Sequence, residues 1–179
     1  MIAEKSRTYI RRGGILLVIH FVSYVSFIYG LSLHKTENRP QGAYSLTEED
    51  KQELFVNIAS ISDESEIIKR CKEIACTKLS FHRKNNLKIG EANCVGYAQY
   101  TSSLLNSAFK YKGLSSKARP VVGQVHLYGF NLHLLTTAIM PNNLKSFFKD
   151  HDFVEIRNEN GEVVFIDTSL QDLLGTPFI

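Results

Sequence analysis

The chain is expected to fold as an α+β domain, on three observations. Apolar residues recur at helical spacing from about residue 47 to Lys112. Beyond Gly113 the pattern turns to β-rich runs. The last of these, Phe153–Ile156 and Val163–Ile166, flank Asn160-Gly161, a strong hairpin signal. Helices first and sheet after is the α+β order.

The amino end stands apart from this body. Lys5, Arg7, Arg11 and Arg12 precede Gly13–Leu33, a run without acidic or strongly basic side chains. About 20 helical residues cross a bilayer core, so the run has the length of a span. Basic residues before a span predict a cytoplasmic N-terminus and a translocated body, that is, a domain outside the cytoplasm in the cell envelope. The expected organisation is a basic tail over 1–12, a transmembrane signal anchor over 13–34, a polar linker over 35–46 and a single domain over 47–179. A cleaved signal peptide fits less well, because the run is long and no A-x-A-like site follows. A buried core helix fits poorly with the flanking arginines. His20, inside the run, is flagged only because ionisable groups in a membrane are often functional.

Within the body, Thr47 can cap a helix with Asp50 in a capping-box-like pattern, and Leu54, Phe55, Ile58 and Ile61 follow at helical spacing. Ser62-Asp63-Glu64 starts a second helix, whose apolar face is Ile67, Ile68, Cys71, Ile74, Ala75 and Leu79. Phe81–Gly90 is polar and basic and reads as a loop. A third helix should run from Cys94 to Lys112-Gly113, with Asn93 as N-cap and Gly113 as C-cap. Lys117–Tyr128 reads as a strand, Gly129-Phe130-Asn131 as a turn, and Leu132–Ile139 as a second strand. Asn142–Lys149 reads as a short helix or loop.

Composition narrows the function. The 179 residues are 44% hydrophobic and carry a net charge of only +3, part of it in the first twelve positions. That argues against nucleic acid as a partner. Cys71, Cys76 and Cys94 form no metal-type C-x-x-C pair, and the histidines are scattered, so no metal site and no cofactor is expected. Cys71 and Cys76 point in different directions on one helix, as core or partly buried thiols.

Cys94 is different. A thiol at a helix start meets the positive end of the dipole and unpaired backbone N–H groups, which favour the nucleophilic thiolate. Its bland reading is a small buried hydrophobe. The hairpin adds a second clue. With a loop over Asn158–Asn160, His151 falls across from Asp167, and opposed residues lie about 5 Å apart on one face. The carboxylate can then hold one imidazole nitrogen and leave the other for Cys94, the logic of nucleophile, base and orienter. His126 and His133 are rival histidines that read more simply as sheet residues. Asp152 is a rival acid, but should point away from His151. Asp167 has its own bland reading, as a turn cap with Thr168 and Ser169.

GEANCVGYAQYTSSLLN, SSKARPVVGQV, HDFVEI and VFIDTSL together resemble the transglutaminase-like superfamily over about Gly90–Leu170. The order Cys94, His151, Asp167 and the hairpin between the last two are shared. Phe153 stands in the aromatic position after the histidine. The resemblance implies a papain-like core, a cysteine-bearing helix on an antiparallel sheet that carries the histidine and aspartate. It implies acyl transfer at amides of peptides or proteins, as a cysteine peptidase or amidase, or as a crosslinking transglutaminase. It also implies an upstream oxyanion donor, for which Asn86, Asn93 and Gln124 are candidates. Two other classes remain open: a membrane-tethered binding or scaffolding module without turnover, and a redox thiol protein pairing Cys94 with Cys71 or Cys76.

Overall fold

A computed structural model describes residues 21–39, 44–139 and 150–175. The expected basic tail, the first part of the expected span with His20, and Asn142–Lys149 lie outside these residues. The α+β expectation holds. A helix, α1, runs through residues 21–29 and is followed by β1 (Leu31–Asn38), α2 (Glu48–Ile58) and α3 (Glu64–Lys78). Short strands β2 (Ser80–Phe81) and β3 (Glu91–Ala92) bracket the loop before α4 (Cys94–Lys112). Then come β4 (Lys117–Leu127), β5 (Phe130–Asn131), α5 (Leu132–Ile139), β6 (His151–Arg157), β7 (Val163–Ile166) and α6 (Thr168–Leu174).

The helix boundaries follow from local chemistry. Thr47 and Asp50 form the full capping box of α2. Asp63 caps α3 by accepting from the Glu66 N–H. Asn93 caps α4, and Gly113 ends it in the left-handed conformation that glycine adopts at least cost. The apolar faces close on one another. Leu54 and Ile58 of α2, Ile67, Cys71 and Ala75 of α3, and Leu104, Leu105 and Ala108 of α4 are buried in one core with Ala118, Val154, Ile156 and Ile166 of the sheet.

The main sheet runs β1-β4-β6-β7, with β5 paired to β4, and its ladders are antiparallel. The eleven-residue β4 is its hub. Gly123 of β4 pairs with His151 of β6 on one side and with Lys35 of β1 on the other. A Cβ at Gly123 would sit 2.2 Å from the His34 carbonyl oxygen and 2.7 Å from the Phe153 ring. Gly123→Ala must therefore push β1 or Phe153 aside. Overpacking of this kind costs about 1–3 kcal/mol, and the expected result is a lower urea midpoint at unchanged slope.

Three expectations are corrected. First, the expected span over 13–34 does not stay helical. The chain turns at Gly30, and Leu31–Asn38 is a strand paired to β4. Leu31 and Leu33 alternate with Ser32 and His34, so this strand's period-two pattern was hidden in the tail of the apolar run. The expected linker over 35–46 is therefore β-strand as far as Asn38. Among the described residues no helix is long and apolar enough to cross a membrane.

Second, Leu132–Ile139 is a helix rather than a strand. Periodicity cannot separate the two in so short an apolar run. Here the Asn131 side-chain oxygen accepts from the His133 N–H at 2.8 Å, a cap-type bond that starts the helix. Third, the β6–β7 register differs by two residues from the expected one. Val154 pairs with Ile166 and Arg157 with Val163, and the loop is closed by the Asn158 N–H donating to the Glu162 carbonyl at 3.0 Å. A two-residue shift preserves the face on which each side chain lies, whereas a one-residue shift reverses it.

Candidate active site

Cys94 is the first residue of α4 and is partly exposed. Asn93 accepts from the Val95 N–H at 3.0 Å and the Gly96 N–H at 3.4 Å, and its carbonyl takes the Tyr97 N–H at 3.0 Å. The second, third and fourth N–H groups of the helix are thus satisfied. The first, belonging to Cys94 itself, is left at the positive end of the helix.

Asp167 lies at the opposite end of the constellation and starts α6. Its Oδ1 accepts from the Leu170 N–H at 3.0 Å and from the Ser169 hydroxyl at 2.7 Å, while its Oδ2 accepts from His151 Nε2. It is therefore both the turn cap of its bland reading and the partner of the imidazole. The register shift explains how. Residue 151 is now diagonal to residue 167 instead of opposite it, and diagonal neighbours on one face remain within reach of longer side chains.

His151 joins the two ends. The Cys94 thiol lies close enough to the ring to add to the rise in its pKa. With Nε2 committed to Asp167, Nδ1 is the nitrogen left to face the thiol. The ring and the carboxylate are both fully buried. Burial works against a charged imidazole, but the Asp167 carboxylate and its hydrogen bond, with the Cys94 contact, outweigh it and raise the ring to about 10. Burial likewise works against the Asp167 carboxylate, yet the His151 charge and the hydrogen bonds from His151, Leu170 and Ser169 hold it below the ordinary value. The two directions agree: the pair is charged at neutral pH.

The helices carrying these groups are tied together. The Thr101 and Thr168 hydroxyls bond at 2.8 Å in the interior, and the Tyr97 hydroxyl donates to Asp172 at 2.6 Å. Both bonds join α4 to α6. Cys76 of α3 donates to the Thr168 carbonyl at 3.7 Å.

The other sequence candidates fall elsewhere. Asp152 is paired with Arg39, whose Nη2 donates to its Oδ1 at 2.9 Å. His126 stacks on His34 with ring centroids 4.0 Å apart, and His133 lies on α5. Among the oxyanion candidates, Asn93 is committed to the helix cap and its Nδ2 to the Arg83 carbonyl. Gln124 accepts from Asn131 at 2.6 Å. Asn86 lines a cavity of about 750 Å³ bounded by Tyr44, Asp50, Lys78 and Tyr100, with none of the three triad residues on its walls. All three cysteines are free thiols. Among the described residues, no group of three or more His, Cys, Asp or Glu side chains is arranged to hold a metal ion.

Two residues were missed. Asn85 accepts from the Asn93 N–H at 2.7 Å and lies against Gly96, where a Cβ would stand 2.5 Å from its Oδ1. Nothing in the run His82–Asn86 distinguishes it from its neighbour Asn86. Lys72 is buried on α3. Burial lowers its pKa, partly offset by the nearby Cys76 and Asp167. Its spacing of four from Ile68 was a legible sign that it faces inward.

Comparison with protein-family models, with curated proteins and with solved structures found no match to this chain.

Proposed function

We propose that the protein is a thiol-dependent acyl-transfer enzyme with a papain-like, transglutaminase-like core, acting as a cysteine peptidase or amidase on peptide or protein amides. The observation that carries this reading is the buried His151–Asp167 pair, with the Cys94 thiol close enough to the ring to help raise its pKa. Beside the His151 imidazolium, Cys94 acts as the thiolate, its proton gone to solvent, and attacks the amide carbonyl. The oxyanion forms beside the uncommitted Cys94 N–H. Asn85 is the upstream amide tied to the helix start, and it serves as positioning residue for that donor. His151 then protonates the leaving amine, giving a thioester on Cys94. Water releases the acid. A second amine instead of water would make the same site a crosslinking transferase. Asp167 keeps the ring in the required tautomer.

The protein acts at a membrane surface, held there by its N-terminal apolar segment, with the body on the side away from the basic tail.

One observation favours a second reading. His151 is wholly buried, so that only Cys94 of the triad is partly open to a substrate. A tethered binding module that keeps the triad as structure would look the same. The test is intact-mass spectrometry of the full chain in detergent after mixing with a peptide pool. An acyl adduct on Cys94, released by hydroxylamine and absent from Cys94→Ser, is expected. Adding a primary amine as co-substrate separates hydrolysis from transfer. No adduct, with the pool cleaved equally slowly by wild type and Cys94→Ser, leaves the binding module.

A further inference from the structure

The expected linker between the apolar segment and the body is absent at the point where it matters. Helix α1 ends at Gly30 and β1 starts at Leu31. The Tyr128 N–H donates to the Gly30 carbonyl at 2.7 Å, and the Tyr128 ring lies 2.7 Å from where a Gly30 Cβ would be. The Tyr128 hydroxyl also bonds Ser26. The tip of the β4–β5 hairpin is therefore level with the end of α1.

This end of the molecule is apolar and open. Phe21, Tyr29, Tyr128, Phe130 and Leu134 are each more than half exposed. The two longest stretches of the chain without Asp, Glu, Lys or Arg are 13–34 and 120–144, and the contacts between Gly30 and Tyr128 join them. The tip itself is built at a cost. Tyr128 (φ +50°) and Gly129 (φ +83°) both lie in the left-handed region. The first of these positions in such a turn favours Asn, Asp or Gly, and a bulky side chain is disfavoured there. An exposed tyrosine is kept nonetheless, with an exposed phenylalanine two residues on.

We propose that the hairpin tip, Tyr128 and Phe130 with Leu134, seats in the interfacial layer of the phospholipid bilayer that takes the N-terminal apolar segment. This rests on the membrane reading of that segment. Aromatic side chains with one polar and one apolar end are favoured at this depth, and with no linker between α1 and β1 the tip stays level with the end of α1 wherever that helix lies. The seating makes two attachments, α1 and the tip, and so fixes the attitude of the body against the membrane instead of leaving it on a swivel. A lipid surface accounts better than a protein partner for a zone that is uncharged across two separate stretches of chain.

The chain contains no tryptophan, so single tryptophans report without background. Phe130→Trp, Phe21→Trp and Val56→Trp, the last on exposed α2, are introduced one at a time into the full chain. Each variant is reconstituted into phosphatidylcholine vesicles with ordinary or brominated acyl chains. Phe130→Trp is expected to be blue-shifted and to lose emission with brominated lipid, while Val56→Trp keeps a solvent-like spectrum. Quenching at Phe21→Trp but not at Phe130→Trp overturns the seating and leaves the membrane reading standing. No quenching at Phe21→Trp overturns the membrane reading itself. A blue-shifted Phe130→Trp that brominated lipid does not quench shows a tip covered by protein, which also overturns the seating.

Discussion

Iodoacetamide should alkylate Cys94 far faster than the other two thiols at pH 7, and His151→Ala should slow that reaction on the order of 100-fold, the usual scale of a positioned acid–base group. The internal controls are built in. Burial pushes the Cys71 thiol up to about 12. Cys76 rises to about 11, from burial and then from the nearby Asp172 carboxylate. Neither is a good nucleophile at neutral pH, so labelling read peptide by peptide isolates Cys94. An imidazolium beside a thiol favours the thiolate, and His151 is held in its charged form. Removing the ring removes that positive charge. Equal, slow labelling of all three cysteines in wild type would leave the triad without chemical consequence, as would a rate indifferent to His151→Ala.

Asp167→Ala should be the most destabilising single change at the site. It removes the cap of α6, worth about 1 kcal/mol. It also leaves a buried imidazolium without its acid, a class of change that costs about 3–5 kcal/mol. The Tm of a chain this size falls roughly 2–4 °C per kcal/mol, so a drop of order 10 °C is expected by calorimetry. Asp167→Asn keeps a capping side chain and should fall between the two. A drop no larger than a lost cap explains would show that the charged pair contributes nothing.

The same pair sets the pH dependence. The His151 value is raised from 6.5 to about 10 in the folded state, so its contribution is complete below pH 6.5 and is lost as pH rises through about 10. The Asp167 value is lowered from 3.8, so its contribution is complete above that pH and is lost as pH falls through the depressed value. The pair therefore stabilises most between about pH 4 and 6.5, declining toward pH 10 at up to about 1.4 kcal/mol per unit. In His151→Gln the alkaline decline should flatten.

Much of this was legible because it is local. Asn93, Gly113, Thr47 and Asp63 mark helix ends through bonds to backbone a few residues away, and such bonds depend little on the rest of the fold. The meeting of His151 and Asp167 was legible for a weaker reason. The expected pairing was two residues out, and only the even size of the error kept both side chains on one face. What was not legible was decided at longer range. Leu31–Asn38 became a strand because β4 offered it an edge, and the apolar run before it drew attention to membranes instead. Leu132–Ile139 became a helix after a hairpin too short to read. Asn85 gained its place through one bond to Asn93, across a loop whose path no local pattern gives.

Because the carboxylate that begins α6 is also the one that holds the imidazole, α6 cannot lift away while the site stays assembled. Single helices can open at a fraction of the free energy of global unfolding. Opening at the start of α6 releases the carboxylate from the ring, so amide exchange at Leu170, whose N–H that carboxylate holds, becomes a gauge of how often the thiol stands alone.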